Sequence, residues 1–185
     1  MTIVFIAPKN YERDILPLFS LLNLNGKASA AAFSKTDMRS NSDWLLLPLK
    51  GNCITSEDNC AAVIFKNCEA VKNLPKNCSV LCFDQSAAAA CSNGTRQIIS
   101  CGMGRKDTIT LSSLENDRPV LSLQRKIYSF SGNLIEPEDF PLFTDQKNYK
   151  AIMAAAALML LCGKTLSPDV FSNQSSTVVP LPFSK

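Results

Sequence analysis

The chain contains no histidine. That removes the usual general base at neutral pH, the commonest metal ligand and the imidazole partner of a Ser or Cys nucleophile. Any chemistry would fall to Asp, Glu, Lys, Tyr, Cys or a bound ion. No C-x-x-C pair occurs among the cysteines, so the paired spacing of a structural zinc site is missing. There is no block of like charge. The net charge of +3, from 19 Lys+Arg and 16 Asp+Glu, lacks the concentrated basic face that nucleic-acid binding requires. The most apolar run, Ala151 to Cys162, is shorter than the roughly 20 residues of a membrane span. The opening MTIVFIAPKN has no basic n-region, long apolar core or small-residue cleavage site, so no export signal is expected.

What is present is the composition of a globular protein, 46% hydrophobic and 19% charged over 185 residues. That length suits one domain. We read residues 1–166 as a single α/β domain and 167–185 as a polar, proline-containing tail. The eight cysteines are Cys53, Cys60, Cys68, Cys78, Cys82, Cys91, Cys101 and Cys162. Several lie inside apolar runs (SVLCF, QIISC, LMLLC), where a free thiol behaves as a small buried hydrophobe. They are expected to be reduced and structural, which fits a cytoplasmic protein.

Short apolar runs bounded by turn residues predict strands at TIVFIA, Trp44–Leu49, Ala61–Phe65, Ser79–Phe83 and Gln97–Cys101. Helices are expected over Glu12–Leu24, Cys68–Leu74 and Ser86–Cys91, and a short strand within 27–43. Strand and helix in close alternation indicate a mainly parallel sheet flanked by helices. Past Gly104 the pattern changes. Thr108–Leu114, Pro119–Leu123, Lys126–Phe130 and Leu134–Ile135 alternate apolar and polar residues and predict an antiparallel extension ended by Glu136-Pro137. Asn148–Cys162 predicts a helix apolar on all sides, hence buried, with Gly163 as its C-terminal cap. An edge strand is expected at Thr177–Leu181.

Gly163-Lys164-Thr165 resembles the end of a phosphate loop but fails as one. Leu158 stands where the pattern needs glycine, and the segment follows a helix instead of opening one. The first candidate site is Gly102, Gly104, Arg105, Lys106, Asp107 and Thr108. Glycines after a strand expose backbone N–H groups, and Arg and Lys add charge-assisted bonds to an anion. Against this, the two glycines also suit a plain turn between the parallel and antiparallel parts. Cys101, beside two cations, is a candidate for a lowered thiol pKa or for a core thiol. Gln124-Arg125-Lys126 reads as a solvated strand edge, and Glu136, Glu138 and Asp139 as a polar acidic loop. No metal site and no cofactor are expected.

Three stretches, AAVIFKNCEAVKNLP, RQIISCGMGRKDTITLSSL and NYKAIMAAAALMLLCGK, follow one another in order over residues 61–164. Their succession resembles the central domain of the Mur ligases, in which a strand and helix lead to a strand ending in Thr-x-Gly, then antiparallel strands, then an Ala-rich helix. The wording around CGMGRKDTITLSSL is also similar to small bacterial proteins. The resemblance implies a Mur-central-like α/β domain. It does not bring ATP-dependent ligation with it, because the family's phosphate loop is not found and Cys68 replaces the expected Asp after Asn67. The leading expectation is a non-catalytic binding or accessory protein that contacts a small anionic ligand or a protein partner near Gly102–Lys106, with no nucleic acid and no membrane. The alternatives are a small enzyme acting on a phosphorylated or nucleotide-sugar substrate, and a subunit of a larger assembly pairing through a strand edge near Leu121–Phe130.

Overall fold

The computed structural model of the chain describes residues 2–6, 17–18, 21–22, 45–48, 60–66, 74, 77–91, 97–115 and 118–172. The strand expected within 27–43, the edge strand at Thr177–Leu181 and, apart from Leu74, the helix expected over Cys68–Leu74 lie outside them.

Ten strands are described: β1 (Thr2–Ile6), β2 (Leu45–Pro48), β3 (Cys60–Ile64), β4 (Cys78–Cys82), β5 (Gln97–Gly102), β6 (Ile109–Glu115), β7 (Arg118–Leu123), β8 (Ile127–Tyr128), β9 (Leu134–Ile135) and β10 (Glu138–Pro141). Eight form one sheet in the order β10-β7-β6-β5-β4-β3-β1-β2, and β8 pairs with β9 separately. From β2 to β6 every neighbouring pair is parallel, whereas β7 and β10 are antiparallel additions. The fold is therefore α/β, a mainly parallel sheet with an antiparallel extension.

Every residue of β3 (CAAVI) and β4 (CSVLC) is buried. Unbroken apolar runs of this kind belong to strands covered on both faces. Alternate residues separate cleanly. Cys60, Ala62, Ile64, Cys78, Val80 and Cys82 join a cluster with Ala87 and Cys91. Ala61, Val63 and Leu81 join the larger core on the opposite face. The first face is covered by α1 (Gln85–Cys91) and the second by α2 (Tyr149–Leu161).

The α2 segment forms a helix because Ala, Leu and Met dominate it, and residues at both ends close it. Asn148 at the N-cap accepts a hydrogen bond from the Ala151 N–H at 3.1 Å. At the other end Gly163, with φ 71°, donates to the Leu160 carbonyl at 2.8 Å, and Lys164 donates to the Met159 carbonyl at 2.9 Å. That pair of bonds is a Schellman termination, which needs a left-handed residue and so favours glycine. Gly163-Lys164 thus ends a helix, as expected of a segment that fails as a phosphate loop. Ala151 through Leu158 are all buried, and Leu158 at 0% exposure is worth about 1.5–3 kcal/mol in water-to-core transfer. Leu18, Leu21, Leu142, Leu166 and Phe171 belong to the same core as α2. Phe171 sits in a 3-10 turn, Pro168–Phe171.

The expected strands recur with three differences. First, β6 is antiparallel only to β7 and runs parallel to β5, so it belongs to both parts of the sheet. Second, β10 was expected as an acidic loop. Its Glu138, Asp139 and Pro141 are exposed and only Phe140 is buried, a composition that an edge strand tolerates and a central one does not. Third, Leu121–Leu123 is no edge, because β7 lies between β6 and β10. An apolar crevice between this part of the sheet and α2, lined by Ile109, Leu121, Leu123, Phe140, Ala156, Leu160 and Leu166, has no room for a water molecule.

Candidate functional site

A parallel connection ordinarily takes about a dozen residues or more, because the chain must return to the start of the strand it left. The link from β5 to β6 is only residues 103–108. It suffices because the strands overlap by a mere two pairs, Cys101 with Ile109 and Gly102 with Thr110. The chain steps back beside the end of β5 and continues in the same direction. The short loop is thereby held at the carboxyl edge of the parallel sheet, the side on which open α/β sheets present ligand-binding loops.

Thr108 is the base of this step. Its N–H donates to the Ser100 carbonyl at 2.9 Å and to the Ser100 Oγ at 3.0 Å, and the Ser100 N–H donates to the Thr108 Oγ1 at 3.3 Å. Gln124 N–H donates to the Thr108 carbonyl at 2.8 Å, so β7 is tied to the same point. Thr108 is buried and does not face solvent.

Asp107 closes the loop from inside. Its N–H donates to the Gly104 carbonyl at 3.0 Å, and its Oδ2 accepts from the Gly104 N–H at 2.9 Å. A Cβ on Gly102 would clash with that same Oδ2, and one on Gly104 would stand 3.1 Å from it, a contact that a small shift of the carboxylate relieves. Glycine at 102 is thus favoured by the close approach of a carboxylate, and the Gly104 donor already has its acceptor within the loop. What faces outward is Met103, 71% exposed, with Arg105 and Lys106. The six expected site residues therefore separate into a folded-in group (Gly102, Asp107, Thr108), the exposed Gly104 of the turn, and a cationic tip (Arg105, Lys106).

Cys101 is not an activated thiol. It is buried, and burial, reinforced by Cys82 and Asp107, pushes its pKa well up. Arg105 and Lys106, further along the loop, are exposed to solvent while the thiol joins the core. Cys82, one strand over, is pushed up to about 12 by burial and by Cys91, Asp107 and Asp84.

The same sheet edge carries features that the sequence reading did not single out. Phe65 and Phe83 follow β3 and β4 and stack with centroids 5.2 Å apart at an interplanar angle of 12°. Asp84 accepts from the N–H and Oγ of Ser86 at 2.8 and 2.6 Å and so caps α1. Their signal was positional: each stands just past an apolar strand.

The remaining candidates lie elsewhere. Gln124, Arg125 and Lys126 are exposed between β7 and β8, where Lys126 pairs with Glu136 at 2.9 Å. Glu138 and Asp139 are on edge strand β10, so the acidic residues are divided between an ion pair and an edge. Among the described residues no group of three or more His, Cys, Asp or Glu side chains is arranged to hold a metal, and no helix is long and apolar enough to cross a membrane.

No family model matches the chain, and no curated protein matches it. Among solved structures the chain is similar to MurF from Acinetobacter baumannii, with a TM-score of 0.48 and 13% sequence identity. The match covers 94% of this chain and 45% of that one, so the chain spans less than half of that protein's length. The likeness is weak and partial, and it is of the same kind as the Mur ligase resemblance over residues 61–164.

Proposed function

We propose that this chain is a non-catalytic binding or accessory module whose contact with its partner is the loop tip Met103–Lys106. The observation that carries the reading is the division of labour within the loop. Asp107 and Thr108 hold it against the sheet, and two cations with an exposed methionine face outward. The Gly104 N–H, a donor that a small anion would meet at the glycine turn, is already engaged by Asp107. Arg and Lys beside an apolar side chain suit the carboxylate- or phosphate-bearing surface of a protein partner. The chain has no histidine to supply proton transfer at neutral pH, which favours binding over catalysis.

The test compares the wild type with the Arg105→Ala/Lys106→Ala variant on immobilised polyglutamate, and by thermal shift with phosphate, nucleotides and nucleotide sugars. The wild type should be retained by the polyanion and the variant should not, with retention falling as salt rises. A shift in melting temperature with a nucleotide or nucleotide sugar, lost in the variant, would transfer the site to a small ligand. Equal behaviour of both proteins in every arm would end the proposal.

A further inference from the structure

We propose that Cys60 and Cys78 form an oxidisable dithiol, a modification site at which hydrogen peroxide installs a disulfide across β3 and β4. The two residues are direct partners in the parallel register of these strands. Their side chains lie on the same face of the sheet, in one buried cluster. Neighbouring strands run about 4.8 Å apart, inside the roughly 4.4–6.8 Å between Cα atoms that a disulfide accepts. Among the described strands no other cysteine faces a cysteine. Cys82 is partnered by Ile64 and Ser100, and Cys101 by Ile109.

The pair is also chemically unequal, as a nucleophile and a resolving thiol should be. Cys78 lowers the pKa of Cys60 against the opposing effect of burial, which favours the Cys60 thiolate. Cys60, together with burial, raises the pKa of Cys78 and keeps it protonated. Each cysteine is the first residue of its strand, at the amino rim of the sheet. Strand ends open at lower free energy than strand centres, which gives a small oxidant access to groups that are 1% and 0% exposed.

The reaction balances without a further reagent. The Cys60 thiolate attacks one oxygen of hydrogen peroxide, the O–O bond breaks, and hydroxide leaves to take up a proton as water. Cys60 is then a sulfenic acid. Cys78 attacks its sulfur, the S–O bond breaks, and the displaced hydroxide takes the Cys78 proton and leaves as a second water. Two thiols are oxidised to one disulfide while one peroxide is reduced to two waters.

The folded full-length chain is treated with graded hydrogen peroxide, quenched in acid, alkylated and digested with trypsin for mass spectrometry. The expected product joins the peptide Gly51–Lys66 to the peptide Asn77–Arg96, with fragment ions assigning Cys60 and Cys78. It should disappear in Cys60→Ser and persist in Cys82→Ser. The wild-type map decides the matter even if a variant folds poorly. A predominant link through Cys53, Cys82 or Cys91, overoxidation of Cys60 without a link, or no oxidation of the pair would overturn the assignment.

Discussion

Asp107 and Gly104 bond to each other twice, once through backbone N–H to carbonyl at 3.0 Å and once through the Gly104 N–H to the Asp107 carboxylate at 2.9 Å. The carboxylate also occupies the space that a side chain on Gly102 would need. The substitutions Gly102→Ala and Asp107→Ala should therefore couple. Gly102→Ala alone is expected to cost about 1–3 kcal/mol, because the carboxylate must leave its hydrogen bond to make room. In the Asp107→Ala background the same change should cost clearly less. Urea titration of the four proteins in a double-mutant cycle measures the difference, and strict additivity would refute the coupling.

Asn148→Ala removes the acceptor of the Ala151 N–H at the start of α2. The expected loss is about 1 kcal/mol in denaturant unfolding, and Asn148→Asp should recover most of it. Asn148→Ala as stable as the wild type would show that the cap contributes nothing.

Gln97 reaches from β5 to the backbone of Tyr128, accepting from its N–H at 3.0 Å and donating to its carbonyl at 2.5 Å. One side chain thus substitutes for a strand in holding β8 beside the sheet. Gln97→Ala should lower stability by about 0.5–1.5 kcal/mol and speed amide exchange in β8 and β9. The Lys126–Glu136 pair, with side chains 60% and 59% exposed, spans the same hairpin. Lys126→Ala should change stability by less than about 1 kcal/mol, which makes it a control for the Gln97 result.

The buried thiols predict an alkaline limb. Cys82 is raised from 9.0 to about 12, and Cys78 and Cys101 are raised as well. A thiol raised in the folded state stays protonated there while the unfolded chain ionises. Its contribution is complete below pH 9 and is lost as the pH climbs toward the folded value. Stability should fall between about pH 9 and 12 by up to about 1.4 kcal/mol per pH unit for each such thiol. Cys82→Ala should flatten that slope even if it lowers stability at pH 7. An unchanged slope would remove Cys82 from the account.

Much of the scaffold was legible because burial writes itself into composition. Unbroken apolar runs located β3 and β4, since both faces of those strands are covered. Asn148 and Gly163 bracketed α2 because a helix end needs an acceptor at one terminus and a left-handed residue at the other. What escaped depended on direction and orientation. The parallel run of β6 beside β5 follows from a two-pair overlap, which no local pattern records. Edge strand β10 was hidden because charge and proline are tolerated where one side of a strand is unpaired. In the candidate site, Arg105, Lys106 and Asp107 read as one polar group, whereas the carboxylate turns inward and the cations turn out. The sequence neighbours of Cys101 suggested activation, but its environment in space is the core.

The short overlap between β5 and β6 also divides the chain by the length of loop its pairings must close. Beyond it, β6 and β7 meet through the neighbouring pair Glu115 and Arg118, a contact that closes almost no loop. Before it, β1 must find β3 across the whole interval from Thr2 to Cys60, and β2 must insert its own pairing on the far side. Local hairpins form within microseconds, whereas pairings distant along the chain wait on costly loop closure. The pairings of the antiparallel part therefore close short loops, whereas those of β1 and β2 carry the long-range closure cost of the sheet.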